Sequence, residues 1–93
     1  MSEAPERIRI DKWLWQARLF KTRALAAEAV GAGHLRINGQ PTDKPGRLVG
    51  PGDVLTLRRA GGVRVLRIAA CGTRRGPAPE AATLYGEIPP AQS

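Results

Sequence analysis

Two stretches decide the fold of this chain: residues 9–23, RIDKWLWQARLFKTR, and residues 31–39, GAGHLRING. The first has the apolar spacing of an amphipathic helix, and the second has a glycine-rich turn that leads into a strand. Between Arg7 and Arg23 there are six Lys or Arg residues and a single acid, Asp11. Helices with charge this one-sided are typical of proteins that bind a polyanion.

Composition sets bounds on the size and chemistry of the protein. The chain has 93 residues, a formal net charge of +7 and one cysteine, Cys71. This length predicts one domain with a modest core. The positive charge favours a phosphate-bearing partner such as RNA, with a generic basic protein as the alternative. One cysteine allows no disulfide within the chain and no cysteine-based metal cluster, and it fits a reducing cytoplasm.

The location and the assembly state follow from weaker signals. No run of about 18 apolar residues exists that could span a membrane. The N-terminus is polar and acidic, which is unlike a signal peptide. We therefore expect a cytoplasmic monomer with no membrane association, no cofactor and no metal.

The first predicted helix starts near Asp11, whose carboxylate suits a helix N-terminus. On a helical wheel its apolar face carries Ile10, Trp13, Leu14 and Ala17. The opposite face carries Lys12, Trp15 and Gln16, with Arg18 on the flank. We expect Trp13 to lie in the core. Trp15 is expected either to stack on an unpaired base or, as the favoured alternative, to pack under the C-terminal segment against Leu84 or Tyr85.

The second predicted helix starts at Thr22, a residue type that commonly caps helix N-termini. Its apolar stripe consists of Leu25, Ala26, Ala29 and Val30. Gly31 and Gly33 are expected to end it, because glycine tolerates the positive φ of a helix C-cap.

Strand signals follow the second helix. Residues 34–37 alternate, and the Asn-Gly pair at 38–39 predicts a tight hairpin into residues 40–42. Residues 54–59 and 63–68 are predicted to form an antiparallel hairpin. Pro77 is predicted to open a last short helix that runs to Tyr85. The pattern indicates a compact α+β domain over residues 8–87, with a disordered lead-in at 1–7 and a flexible tail at 88–93.

The order and spacing of these residues resemble the S-four (S4) domain, the small RNA-binding module named after ribosomal small-subunit protein four. The matching positions are Arg9, Asp11, Leu14, Arg18, Lys21, Thr22, Arg23, Ala26, Val30, Gly33, His34, Ile37, Asn38, Gly39, Lys44, Pro45, Val49, Gly52 and Asp53. Residues 11–15, 21–23 and 77–85 are similar to the bacterial fifteen-kilodalton heat-shock family within that superfamily.

The resemblance implies a fold and a function. The fold is the αL motif, in which two N-terminal helices pack on a small, mainly antiparallel sheet. The function is non-catalytic binding of structured RNA, and for the fifteen-kilodalton proteins it is binding to the large ribosomal subunit and rescue of stalled subunits in heat-shock stress. Those proteins continue into a long basic C-terminal extension that has no counterpart in these 93 residues, so the resemblance implies RNA binding more directly than rescue.

The candidate RNA-binding residues are basic or polar side chains on the two helices and the adjoining strand and loop. They are Arg9, Lys12, Arg18, Lys21, Thr22, Arg23, His34, Arg36 and Lys44. Lys and Arg on a rigid surface supply most nucleic-acid affinity through phosphate contacts. The alternative is a solvated helix face with scattered charge. His34 is expected either to bond RNA or to cap the second helix.

The arginines of the later hairpin, two acids and the cysteine carry separate expectations. The arginines at 58, 59, 64 and 67 either extend the basic surface or keep the later hairpin soluble. Asp11 is expected to stabilise a helix start or to pair with an arginine, with direct contact to RNA as the alternative. Asp53 is expected to be a turn residue, and Cys71 a small buried hydrophobic residue.

Catalysis is not expected, because these residues assemble no nucleophile–base pair, metal set or nucleotide-binding loop. S-four domains are also appended to pseudouridine synthases and to some aminoacyl-tRNA synthetases. An RNA-binding fragment of such an RNA-modifying enzyme is therefore one alternative. A basic DNA-binding module is another, and weak DNA binding is compatible with the charge.

Overall fold

The computed structural model describes residues 6–89 and has an α+β architecture, as predicted. The helices are α1 (Ile10–Gln16), α2 (Arg23–Gly31) and α3 (Ala78–Ala81), and a 3₁₀ turn follows α3 at Ala82–Leu84. The strands are β1 (Ile8–Arg9), β2 (Leu35–Ile37), β3 (Gln40–Thr42), β4 (Leu48–Val49), β5 (Val54–Arg59), β6 (Gly62–Ile68) and β7 (Tyr85–Ile88). The predicted lead-in and tail lie largely outside the described residues.

Five strands form one antiparallel sheet in the order β3-β2-β5-β6-β7, and β1 pairs with β4 in a separate two-stranded ribbon. The register places Leu35 opposite Leu57, and Leu55 opposite Leu66. Because neighbouring residues of a strand point to opposite faces, these leucines share one face of the sheet. They are buried in a single core cluster with residues of α1 and α2.

The two N-terminal helices begin and end where local chemistry dictates. Thr22 caps α2, and its hydroxyl accepts a hydrogen bond of 3.0 Å from the amide of Leu25. Gly33 has a φ of +83° after the last turn of α2, and the His34 amide donates to the Ala29 carbonyl at 3.2 Å. These contacts confirm the predicted cap and glycine stop, and the backbone of His34 completes the C-terminal turn.

The predicted hairpin at residues 38–39 is confirmed, and it is tied to a second turn. Asn38 and Gly39 have φ angles of 52° and 82°, as a two-residue type I′ turn requires. The Asn38 side chain donates to Asp53 at 3.0 Å and accepts from the Val54 amide at 2.9 Å. Asp53 also accepts from the Gly50 amide at 2.9 Å, which confirms it as a turn residue.

Two expectations about the helix faces are wrong. Gln16 was placed on the solvent face of α1, but it is buried, and its amide donates to the Cys71 carbonyl at 2.9 Å. The segment after β6 folds over this side of α1 and covers it. Leu25 was placed in the apolar stripe of α2, but its side chain is 45% exposed. It lies about 100° around the helix axis from Ala26, which faces the core.

The C-terminal helix is shorter than predicted. It ends at Ala81, a 3₁₀ turn continues to Leu84, and Tyr85 is already the first residue of β7. Strand β7 completes the sheet by pairing Tyr85 with Ile68 and Ile88 with Val65. Sheet pairing, together with an edge-to-face contact between the rings of Tyr85 and Trp13 at 6.2 Å, accounts for the extended backbone.

Three further features bear on chemistry. Cys71 is buried, as predicted, and burial raises the pKa of its thiol. Among residues 6–89, no helix is long and apolar enough to cross a membrane. In the same part of the chain, no three His, Cys, Asp or Glu side chains are grouped so that they could hold a metal ion.

We predict that Gln16→Leu destabilises the fold by about 1–3 kcal/mol, because the buried Cys71 carbonyl would lose its hydrogen-bond donor. The matched control is Gln40→Leu, since Gln40 is exposed on β3. Urea unfolding followed by circular dichroism measures both variants. Equal stability of Gln16→Leu and the wild-type chain would show that the bond contributes nothing.

Candidate nucleic-acid interface

The predicted basic surface is organised around one buried acid. Asp11 lies at the start of α1, and its side chain is only 4% exposed. Arg9 donates two hydrogen bonds to it, from Nε to Oδ1 at 3.1 Å and from Nη2 to Oδ2 at 3.0 Å. The Nε of Arg23 lies 3.6 Å from the same Oδ2, and the Lys12 amide donates to Oδ1 at 2.7 Å. Asp11 therefore both stabilises the helix start and pairs with arginine, the two roles expected for it.

Electrostatics keep this carboxylate charged. Burial alone raises the pKa of Asp11, but the Arg9 hydrogen bond, the charge of Arg23 and the Lys12 amide together outweigh it, so the pKa lies below its ordinary value. The carboxylate in turn raises the pKa of Arg9. The side chains of Arg9 and Arg23 remain 51% and 43% exposed. Asp11 is thus the hidden centre of a cationic surface that solvent reaches.

The loop between β3 and β4 adjoins this centre. The amides of Ile10 and Asp11 donate to the carbonyls of Arg47 and Pro45 at 2.8 and 3.2 Å. The Arg9 guanidinium lies against Gly46, where an added Cβ would be 3.7 Å from its Cζ. The loop therefore brings the exposed residues Lys44 and Arg47 to the same end of α1 as Arg9. Lys44 was predicted from the sequence, whereas Arg47 was missed.

Two of the predicted site residues have structural roles. Arg18 has a left-handed backbone, with φ at 61°, and its Nε donates to the Gly76 carbonyl at 2.6 Å. Thr22 is the N-cap of α2. These contacts mean that substituting either residue would alter the local structure as well as any RNA contact. Lys12 and Lys21 are exposed on α1 and on the loop that follows it.

His34 and Arg36 lie at a separate shallow cleft of about 90 Å³ on the sheet. Its lining residues are Gly33, His34, Arg36, Thr56, Arg58 and Val63. Arg36 is opposite Thr56, and Arg58 is opposite Val63, so these side chains share the face turned away from the core. Of the nine predicted residues, Arg9, Arg23 and Lys44 thus lie around the start of α1, and His34 and Arg36 lie at the sheet cleft. Arg18 lies beyond the other end of α1, against Gly76.

The arginines of the β5–β6 hairpin are less free to contact RNA than their number suggests. Arg64 makes two hydrogen bonds to Glu87, at 3.0 and 2.7 Å. The Arg59 guanidinium lies over the Phe20 ring, 4.7 Å from its centroid. Arg67 and Arg58 are exposed. The Glu87 side chain that pairs with Arg64 is itself half exposed, so it offsets the arginine charge at the surface, unlike the buried Asp11. This weakens the case for the hairpin as a main RNA contact.

Arg75 was missed by sequence reasoning. Its Nε donates to the Trp15 carbonyl at 3.0 Å, and its guanidinium lies 5.6 Å from the centroid of the Trp15 ring. Trp15 was expected to pack against Leu84 or Tyr85, but the contacts described for it are with Arg75, and the aromatic contact of Tyr85 is with Trp13. Sixty positions separate Arg75 from Trp15, and no motif links them.

Comparison with known proteins identifies the family. Residues 8–55 match the S4 domain. The chain is 46% identical over 88 residues to heat shock protein 15 of Escherichia coli strain K12, covering 94% of this chain and 65% of that protein. It is 43% identical over 51 residues to the RQC P-site tRNA stabilizing factor of Listeria monocytogenes, covering 55% of this chain and 54% of that protein.

A solved structure agrees in fold. The trimeric structure of Vibrio cholerae heat shock protein 15 superposes with a TM-score of 0.83 at 42% identity, covering 89% of this chain and 83% of that one. The present chain spans 65% of the length of the E. coli protein. Its matched residues 8–55 and its agreement in fold with the V. cholerae structure lead to one conclusion. The chain belongs to the S4 domain family and is similar, within it, to heat shock protein 15.

Proposed function

We propose that this protein binds structured RNA and does so without catalysing a reaction on it. The observation that carries the proposal is the coincidence of the S4 match with the basic surface. All nine candidate RNA-binding residues lie within the matched residues 8–55. The centre of that surface is a buried carboxylate with two half-exposed arginines on it. Lys and Arg side chains clustered in this way contact phosphate oxygens and so fix the register of a protein on a nucleic acid.

We further propose that the RNA is ribosomal. Support comes from the names of relatives, which include small ribosomal subunit protein uS4 of Methylobacterium nodulans, 35% identical over 52 residues, and the P-site tRNA stabilizing factor. The resemblance to the fifteen-kilodalton heat-shock family implies association with the large ribosomal subunit in heat-shock stress or in rescue of stalled subunits, and we extend the proposal to that role. A ribosomal partner places the protein in the cytoplasm.

For the proposal of no catalysis, the chain's one cysteine and one histidine are the side chains to consider. Cys71 is buried, and burial raises the pKa of its thiol, so little reactive thiolate forms at neutral pH. The single histidine, His34, is exposed on the surface of the domain.

The monomeric state expected from the sequence stays a prediction, whereas the solved V. cholerae relative is a trimer.

We predict that RNA affinity falls steeply with salt, because binding through several phosphate contacts releases condensed counterions. A chain with net charge +7 that neutralises a handful of phosphates should lose affinity by orders of magnitude between about 50 and 200 mM salt. Fluorescence anisotropy with a structured ribosomal RNA hairpin measures this, with a DNA duplex of equal length as the comparison. A flat salt response contradicts the electrostatic account, and tighter binding to the DNA favours a DNA-binding module instead.

We also predict that the helical surface matters more than the later hairpin. Lys12→Ala and Lys21→Ala should weaken RNA binding and lower the slope of log affinity against log salt by about 1 each. Arg67→Ala, which removes an exposed charge from β6, is the matched control and should have a smaller effect. Circular dichroism confirms that each variant is folded. A larger loss for Arg67→Ala than for the lysine variants would move the binding site to the sheet.

A further inference from the structure

We infer that Asp11 strengthens RNA binding in spite of its negative charge, because it holds Arg9 and Arg23 as a pair that receives one backbone phosphate. This inference rests on the proposed RNA-binding function and names a subsite within it. Asp11 is the single acid between Arg7 and Arg23. We treat it as a positioning residue that acts through the two arginines.

The geometry of the carboxylate brings the two guanidinium groups together. Nη2 of Arg9 and Nε of Arg23 lie 3.0 and 3.6 Å from the same oxygen, Oδ2 of Asp11. Because both nitrogens contact one atom, the two groups are neighbours despite the like charge that would otherwise separate them. Arg9 comes from the residue before α1 and Arg23 from the first turn of α2, so the carboxylate also fixes the two helix starts relative to each other.

The donors that remain point to an anion. Arg9 uses its Nε–H and one Nη2–H on Asp11, which leaves the second Nη2–H and both hydrogens of Nη1. The terminal nitrogens of Arg23 have no hydrogen-bond acceptor among residues 6–89. A guanidinium group is planar and binds a phosphate with two parallel hydrogen bonds. Two such groups side by side, each about half exposed, therefore present several free donors to one phosphate.

The pair is also held in place before RNA arrives. Arg9 lies between Asp11 on one side and the backbone of Gly46 on the other. Asp11 is held by two further hydrogen bonds. Its carboxylate accepts from the Lys12 amide, and its backbone amide donates to the Pro45 carbonyl. A side chain already fixed in its bound position loses less conformational entropy on binding. The cost of one negative charge near the RNA is thereby offset.

The net charge and the positioning role of Asp11 predict opposite changes in RNA affinity for Asp11→Asn. The substitution raises the net charge by one, so charge alone predicts tighter RNA binding. Positioning predicts weaker binding, by about three- to tenfold, because the neutral amide holds the arginines less firmly. The matched control is Asp43→Asn, which removes the charge of an exposed acid in the loop after β3. For the control, equal or tighter binding is expected.

A second variant covers the case in which Asp11→Asn does not fold. Arg9→Lys keeps the net charge but removes the two-pronged contact with Asp11. It should weaken RNA binding by about threefold or more, since an ammonium is a point charge without the planar fork. Arg67→Lys on β6 is its control and should bind as the wild-type chain does. Thermal unfolding of every variant accompanies the anisotropy titrations.

A background without the arginines separates positioning from a general structural role. In Arg9→Gln/Arg23→Gln, Asp11→Asn should no longer weaken binding, because the groups it positions are gone. Folded Asp11→Asn that binds as tightly as the wild-type chain, or more tightly, would overturn the inference. An undiminished loss in the double-glutamine background, or unchanged binding by Arg9→Lys, would do the same. Failure of the wild-type chain to bind RNA would instead refute the proposed function.

Discussion

The hydrogen bond from the indole of Trp13 to the carbonyl of Ala70 is the interaction on which the rest of this structure depends. The Trp13 side chain is fully buried, and a buried indole N–H needs an acceptor within the protein. Ala70 supplies it at 2.9 Å, which draws the chain after β6 across α1. The contacts of Gln16 with Cys71 and of Arg75 with Trp15 lie along the same crossing.

This crossing stabilises a very short helix. A helix of seven residues is unstable in isolation, because nucleation costs more than a few backbone hydrogen bonds return. In this fold α1 is held at its C-terminal end by the crossing segment, where Arg18 also reaches Gly76. At its N-terminal end it is held by backbone bonds to the loop at residues 44–47 and by Arg9 and Arg23 on Asp11. The proposed RNA surface is therefore built on a fixed element.

Much of the fold could be predicted from local signals. The Thr22 cap, the glycine stop after α2 and the Asn38-Gly39 hairpin each depend on a few adjacent residues, and all three are confirmed. The errors concern contacts between distant segments. A helical wheel for α1 places Gln16 in solvent, because the wheel contains no information about the segment that covers it. Extended backbone at Tyr85 follows from pairing with β6, which overrides the local helix preference.

The candidate site divides in the same way. Residue type and clustering were enough to nominate the basic side chains, since phosphate binding needs charge more than a fixed arrangement. The arrangement itself could not be predicted. That Asp11 is shared between two arginines, and that Arg47 lies beside them, depends on how β4 pairs with β1 and orients the loop. Likewise, the pairing of Arg64 with Glu87 depends on β7, which was not predicted.

The claim that RNA binds the basic surface around Asp11 is tested most directly by nuclear magnetic resonance. Backbone amide shifts of the ¹⁵N-labelled chain are mapped as a structured ribosomal RNA is added. We expect the perturbed amides to cluster at residues 9–12, 21–23 and 44–47. Shifts confined to the hairpin at residues 58–67, or no shifts at all, would contradict it.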